Sequence, residues 1–253
     1  MTVGVRISTH LFGRVRKYNE LDLYVPPNAN QCTPLLVFIH GGAWRSEDKA
    51  DHAQLAMYLA VQGYTVAVVN YRLSLRNHPH EQPEVQHPDH IDDILDAIHY
   101  LIQTPPRSAV YDTTNIHLIG HSCGAHMAMM IILDPASCLK SIRGVIGADG
   151  IYDIPLLLQT FPDYTDFIEQ AFGTDTSQFV HASPISKFAQ HRLPPVLIVH
   201  SLEDSLVDLG QAKVMLQHLL SLDAKVQLDT SARGDHYDML KTPEFIRAVK
   251  RFV

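Results

Sequence analysis

Residues 115–132 constrain this chain more than any other segment. Asn115-Ile-His-Leu-Ile119 is a short apolar run, Gly120-His-Ser-Cys-Gly124 follows it directly, and Ala125-His-Met-Ala-Met-Met-Ile-Ile132 continues as a longer apolar stretch. Together they predict a strand, a sharp turn with Ser122 at its apex, and a helix. The pattern G-x-S-x-G in that setting is a nucleophile elbow. Glycine at 120 and 124 lets strand and helix approach closely, and the tight turn drives the Ser122 hydroxyl outward. The five-residue pattern alone also fits a Gly-rich strand-to-helix turn without chemistry. The flanks and the partners described below favour the elbow.

Strand and helix signals alternate along the rest of the chain. Pro34-Leu-Leu-Val-Phe-Ile-His40 is continuously apolar, as a strand buried on both faces should be. Residues 49–62 predict a helix that stops at Gly63, and Tyr64-Thr-Val-Ala-Val-Val-Asn70 predicts the next strand. After a polar loop rich in proline and histidine, a helix opens at Pro88-Asp89 with Ile91, Ile94, Leu95, Ile98, Leu101 and Ile102 at helical spacing. Pro105-Pro106 ends it. Further strands are predicted at 142–148, 195–200 and 225–229, and helices at 209–220 and 243–252. Residues 16–25 alternate like an antiparallel edge strand. This order implies a mostly parallel sheet of about eight strands with helices on both faces. Residues 1–253 read as a single domain. Residues 153–186 are the one long excursion between sheet strands. They contain candidate short helices at Pro155-Leu-Leu-Leu158 and at 164–172, and long insertions of this kind serve as lids or binding elements. A small cap over the strand ends is the expectation.

Composition narrows the partners. The net charge of −7, with no basic run, argues against a nucleic-acid or anionic-membrane partner. The first ten residues have no signal-peptide core, and no apolar run approaches a membrane span. Three cysteines, Cys32, Cys123 and Cys138, are too few and too odd for a disulfide framework, so a reducing cytoplasm is expected. A small-molecule substrate is the expected partner; the sequence leaves a homodimer open.

A serine hydroxyl needs a base, and the base needs an orienting acid. After an elbow the chain order is nucleophile, acid, histidine. The acid belongs just past a later buried strand, where His200-Ser-Leu-Glu-Asp204 follows 195–200. Asp204 is the choice. Glu203 should point the other way, and Asp208 suits the start of the next helix, where an anion favours the dipole. The histidine belongs between the last strand and the last helix, where Gly234-Asp-His236-Tyr-Asp238 lies. With sixteen histidines present, His236 matters only through its place relative to Ser122 and Asp204. His40-Gly-Gly-Ala-Trp44 ends the first buried strand, and glycines there let backbone amides point at a developing oxyanion. The amides of Gly42, Ala43 and Cys123 are assigned that task. Trp44, the only tryptophan, is either core or a wall of the acyl pocket. His78, His80, His87 and His90 cluster with acidic residues, but their irregular, proline-broken spacing fits no compact ligand set, so no metal is expected.

With these motifs in place, the chain resembles the α/β-hydrolase superfamily over nearly its whole length. More narrowly it resembles the fungal kynurenine formamidases (arylformamidases). That likeness rests on His40–Trp44, Tyr71-Arg-Leu-Ser74, Gly120–Gly124, Asp149-Gly-Ile-Tyr-Asp153 and His200-Ser-x-x-Asp204. Cys123 departs from the small residue that usually follows the serine. The resemblance implies an α/β-hydrolase fold and cofactor-free hydrolysis of N-formylkynurenine to kynurenine and formate. It implies a narrow acyl side near Trp44 and a leaving-group side near Tyr152, with Arg72 as a candidate for the substrate carboxylate. A short-chain carboxylesterase or lactonase on the same scaffold remains open, as does a non-catalytic small-ligand binding protein.

Overall fold

Every residue of the central strands is closed to solvent on both faces, because two helical layers sandwich the sheet. The computed structural model describes residues 4–78, 81–107, 110–134, 140–189 and 191–253. Its strands are β1 (Arg6–Leu11), β2 (Glu20–Val25), β3 (Leu35–Ile39), β4 (Thr65–Val69), β5 (Ile116–His121), β6 (Ile142–Ala148), β7 (Val196–Val199) and β8 (Val226–Asp229). They form one sheet in the order β1-β2-β4-β3-β5-β6-β7-β8. The pairs β1/β2 and β2/β4 are antiparallel and all others are parallel.

Side-chain alternation divides the core. Leu36 and Phe38 of β3 face the layer of α1 (Ala53–Val61) and α8 (Pro243–Phe252), with Leu55, Leu59, Phe245 and Val249. Leu35, Val37 and Ile39 face the layer of α2 (Asp89–Gln103), α3 (Cys123–Leu133) and α7 (Leu209–Ser221), with Ile94, Ile98, Met127 and Met215. All eleven residues of α3 are buried, so the helix behind Ser122 is core on every side. Burying each large apolar side chain is worth roughly 1.5–3 kcal/mol.

The N-terminal region corrects one expectation. Residues 16–18 form a 3₁₀ turn, and β2 begins only at Glu20. It is also not the edge: β1 pairs outside it, with Arg6 opposite Val25. β1 is mostly exposed and carries Arg, Ser, Thr and His, so its hydrophobic pattern is faint. The excursion between β6 and β7 contains α4 (Ile154–Thr160), α5 (Thr165–Phe172) and the short α6 (Gln178–His181). No helix among the described residues is long and apolar enough to cross a membrane. Cys32 is exposed and Cys123 buried, both as free thiols, whereas Cys138 and His80 lie outside the described residues.

Candidate active site

Ser122 sits between β5 and α3 at φ 55°, ψ −119°, outside the regions a non-glycine residue adopts freely. Holding such a conformation costs about 1–3 kcal/mol, which the surrounding core must offset. The restraints are visible. Ser122 N–H donates to the Ala148 carbonyl at 2.9 Å, and the Ser122 carbonyl accepts from Ala125 N–H at 3.1 Å. A Cβ on Gly120 would run into the Gly124 backbone, and one on Gly124 would run into the carbonyls of Ile39 and His40. Both glycines are therefore required by close packing of the turn against β3.

His236 lies in the loop between β8 and α8, and its Nδ1 is 2.7 Å from Asp204 Oδ2. The loop is fixed from both sides. His236 N–H donates to Asp235 Oδ1 at 2.8 Å, and His121 Nε2 donates to the His236 carbonyl at 2.9 Å. Asp204 Oδ1 accepts from the amides of Leu206 at 2.8 Å and Val207 at 2.9 Å. Burial alone would raise the Asp204 carboxyl, but His236 and these two amides hold it below its ordinary value. The rival acids are engaged elsewhere. Glu203 Oε2 accepts from Gly234 N–H at 2.7 Å, and Asp208 Oδ1 caps α7 by accepting from Gly210 N–H at 2.6 Å.

The His40–Trp44 turn runs through three successive left-handed residues, Gly42, Ala43 and Trp44. The Gly42 carbonyl closes it by accepting from Arg45 N–H at 3.0 Å and Ser46 N–H at 2.9 Å. Tyr71 Oη lies 2.8 Å from the Gly41 carbonyl, while its ring stacks on His40 at 4.4 Å. Trp44 N–H donates to Cys123 Sγ at 3.3 Å, and the Ala43 amide also faces that sulfur. Burial raises the Cys123 thiol to about 12, so it is a neutral acceptor and not a nucleophile. The Cys123 amide opens α3 and is one of the N–H groups a helix leaves unpaired.

Ser122 and His236 open onto one cleft of about 420 Å³, shared with Gly42, Ala43, Arg45, Tyr164, Phe167 and Tyr237. A serine, a carboxylate-paired imidazole and the Gly42–Ala43 backbone line one cleft, and these are the kinds of group with which acyl transfer can be done.

Residues 21–219 match the family model described as BD-FAE. The chain belongs to the BD-FAE family. It is an α/β-hydrolase enzyme and resembles the fungal kynurenine formamidases. It is 32% identical to kynurenine formamidase of Meyerozyma guilliermondii, over 88% of this chain and 86% of that protein. It is 26% identical to an isoprenylcysteine alpha-carbonyl methylesterase of Arabidopsis thaliana, over 87% of this chain and 54% of that protein. Among solved structures it is similar in fold to esterase B from Lactobacillus rhamnosis, with a TM-score of 0.82 at 20% identity, covering 99% of this chain and 84% of that one.

Within this BD-FAE family member, Trp44 takes the core reading of the two left open, and neither Tyr152 nor Arg72 lines the cleft. Trp44 is 1% exposed and does not line the cleft. Its ring packs edge-on to His126 and Phe172 and leans on Phe167, the residue that does line the cleft. Tyr152 is wholly buried against Gly147 and Gly150 and does not line the cleft. Arg72 is not at the cleft at all. It pairs with Asp93 at 2.9 Å and with Asp89 at 3.4 Å, and it borders a separate groove. The cation at the cleft is Arg45, which pairs with Asp166 at 2.7 Å and stands 5.6 Å from the Phe167 ring centroid. Of the histidine-rich loop, His87 packs on Phe172 and His126, and His90 Nε2 meets Ser74 Oγ at 2.9 Å. Tyr164, Phe167 and Tyr237 escaped sequence reasoning, although an aromatic residue directly after His236 was a usable signal.

Proposed function

We propose that Ser122, His236 and Asp204 form a nucleophile–base–acid triad that hydrolyses an aryl formamide, N-formylkynurenine, to kynurenine and formate. The observation that carries this reading is the 2.7 Å His236–Asp204 contact opening on the same cleft as the elbow serine. Ser122 Oγ attacks the formyl carbon while His236 Nε2 takes its proton, and Asp204 holds the imidazole in the required tautomer and balances its charge. The amides of Gly42 and Cys123 receive the oxyanion, with Ala43 beside them sharing its amide with the Cys123 sulfur. His236 then protonates the departing aniline nitrogen. Water, deprotonated by His236, attacks the formyl-serine, and formate leaves as the proton returns to Ser122. No cofactor or metal takes part in these steps. The aromatic leaving group lies against Tyr164, Phe167 and Tyr237, with residues 153–186 as a cap and Trp44 acting through Phe167.

A short-chain carboxylesterase is the second reading, favoured by the pairing of Arg45 with Asp166, which competes with any substrate carboxylate. Purified protein is assayed against N-formylkynurenine, p-nitrophenyl acetate and p-nitrophenyl butyrate. A kcat/KM for N-formylkynurenine above that for both esters is the expected result. Turnover of the esters with none of N-formylkynurenine replaces the formamidase by an esterase.

A further inference from the structure

Asp149 is a second carboxylate in the site that hydrolysis by the triad leaves without a task. It follows β6, is wholly buried, and is held at φ 42°. Its N–H donates to the Val199 carbonyl at 3.0 Å, and its Oδ1 accepts from Ser201 N–H at 2.8 Å. Oδ2 is buried and has no donor N–H or O–H among the described residues. A polar atom of Asp149 lies within 4.8 Å of one from each of His200 and Asp204, and the same holds for Asp149 with His121 and His236.

The charges around Asp149 come from several elements. His121 faces it from β5, and His200 from the end of β7, with Nδ1 3.4 Å from Asp149 Oδ1. Asp204 faces it from the loop after β7, Asp235 and His236 from the loop before α8, and Tyr152 from its own segment. Burial keeps His200 below its ordinary value and holds His121 at about 3, so neither supplies a positive charge near neutrality. The two carboxylates thus lie within 4.8 Å of each other, and among the described residues neither has an ion pair with a lysine or arginine. Two like charges this close, and shielded from water, repel strongly. One proton between them removes that cost. Asp204 has three donors, His236 Nδ1 and the amides of Leu206 and Val207, whereas Asp149 has the Ser201 amide. The negative charge therefore belongs on Asp204 and the proton on Asp149.

We propose that Asp149 acts protonated, donating its carboxyl hydrogen bond to Asp204 and so holding that carboxylate against His236. It is a positioning residue, because it reaches the reacting atoms only through Asp204. The inference rests on the triad reading above. Burial, reinforced by the neighbouring charge of Asp204, raises the Asp149 carboxyl to about 8, which agrees with this geometry. When Asp149 ionises, the two carboxylates repel and Asp204 loses its hold on His236.

The test compares wild type, Asp149→Asn and Asp149→Ala in kcat against pH from about 6 to 10, with a p-nitrophenyl acetate readout. The carboxamide matches the protonated acid: its NH₂ donates to Asp204 and its oxygen still accepts from Ser201. Wild-type kcat should fall as pH rises through about 8. Asp149→Asn should stay within a few-fold of wild type at neutral pH and lose that alkaline fall. Asp149→Ala should lose about 10- to 100-fold in kcat with little change in KM, the cost of one hydrogen bond to a charged group. If Asp149→Ala does not fold, the wild-type and Asp149→Asn profiles alone decide. An Asp149→Asn protein that loses kcat like the alanine variant, or one that keeps the wild-type alkaline limb, overturns the proposal. Fluorophosphonate labelling at Ser122 separates the two levels. A folded wild type that does not label refutes the triad, whereas labelling with an unmoved profile refutes only the role of Asp149.

Discussion

Replacing Asp204 by asparagine changes one heavy atom, a carboxylate oxygen to an amide nitrogen, and tests the acid assignment directly. Asp204 Oδ1 accepts from the Leu206 and Val207 amides, and an asparagine oxygen can keep both bonds. The new NH₂ then occupies the place of Oδ2, 2.7 Å from His236 Nδ1. Two donors cannot share that contact, so the imidazole proton moves to Nε2, the nitrogen that must take the Ser122 proton. The wrong tautomer costs on the order of 10⁴ in kcat, or roughly 5.5 kcal/mol of transition-state stabilisation. Stability should change little, because both backbone contacts survive. Asp208→Asn is the control: asparagine caps a helix about as well as aspartate, so kcat should hold and only the weaker dipole interaction be lost, about 0.3–1 kcal/mol. The assay is kcat on p-nitrophenyl acetate, with thermal unfolding to confirm an intact fold. A folded Asp204→Asn enzyme with more than about a tenth of wild-type kcat would remove Asp204 from the acid role, and a large loss in Asp208→Asn would move that role to Asp208.

Ser122→Ala should fold and retain only residual hydrolysis from binding and the oxyanion amides; kcat above about a tenth of wild type in a folded sample would remove Ser122 from the nucleophile role. Gly124→Ala places a methyl group against the Ile39 and His40 carbonyls, so both melting temperature and kcat should drop; an unchanged variant contradicts the close packing of the elbow. Buried histidines should make the fold acid-labile. Burial lowers His40 to about 4 and His90, His121 and His126 to about 3, from an ordinary value near 6.5. The folded state then binds fewer protons than the unfolded state below pH 6.5. The stabilisation is complete above that pH and lost as pH falls toward 4, by about 1.4 kcal/mol per pH unit for each histidine. Urea unfolding at pH 7.5 and 5.0 measures this, and equal stability at the two values would contradict it. Asp149 has the opposite sign: its raised pKa makes its contribution complete below about 4 and lost as pH rises through about 8.

Local chemistry makes the architecture legible in the sequence itself. The apolar runs that became β3, β4 and β7 have no polar face, and only a sheet covered on both sides accommodates such strands. The elbow was legible because its two glycines are dictated by contacts within one turn and the adjoining strand end. Asp208 could be set aside for the same local reason, as the cap of its own helix. β1 was not legible, because an exposed edge strand needs no hydrophobic pattern. Neither was the wall of the cleft. Trp44 and Tyr152 neighbour the site along the chain, but packing turned their rings into the core. Phe167 reaches the cleft from α5, far from the triad along the chain, whereas Tyr237 sits beside His236 and only the tertiary structure shows that it lines the wall. The Asp149–Asp204 pair lay furthest from sequence reasoning. Each residue looks ordinary in its own segment, and only adjacent ends of β6 and β7 bring two acids together away from water, where one must keep its proton.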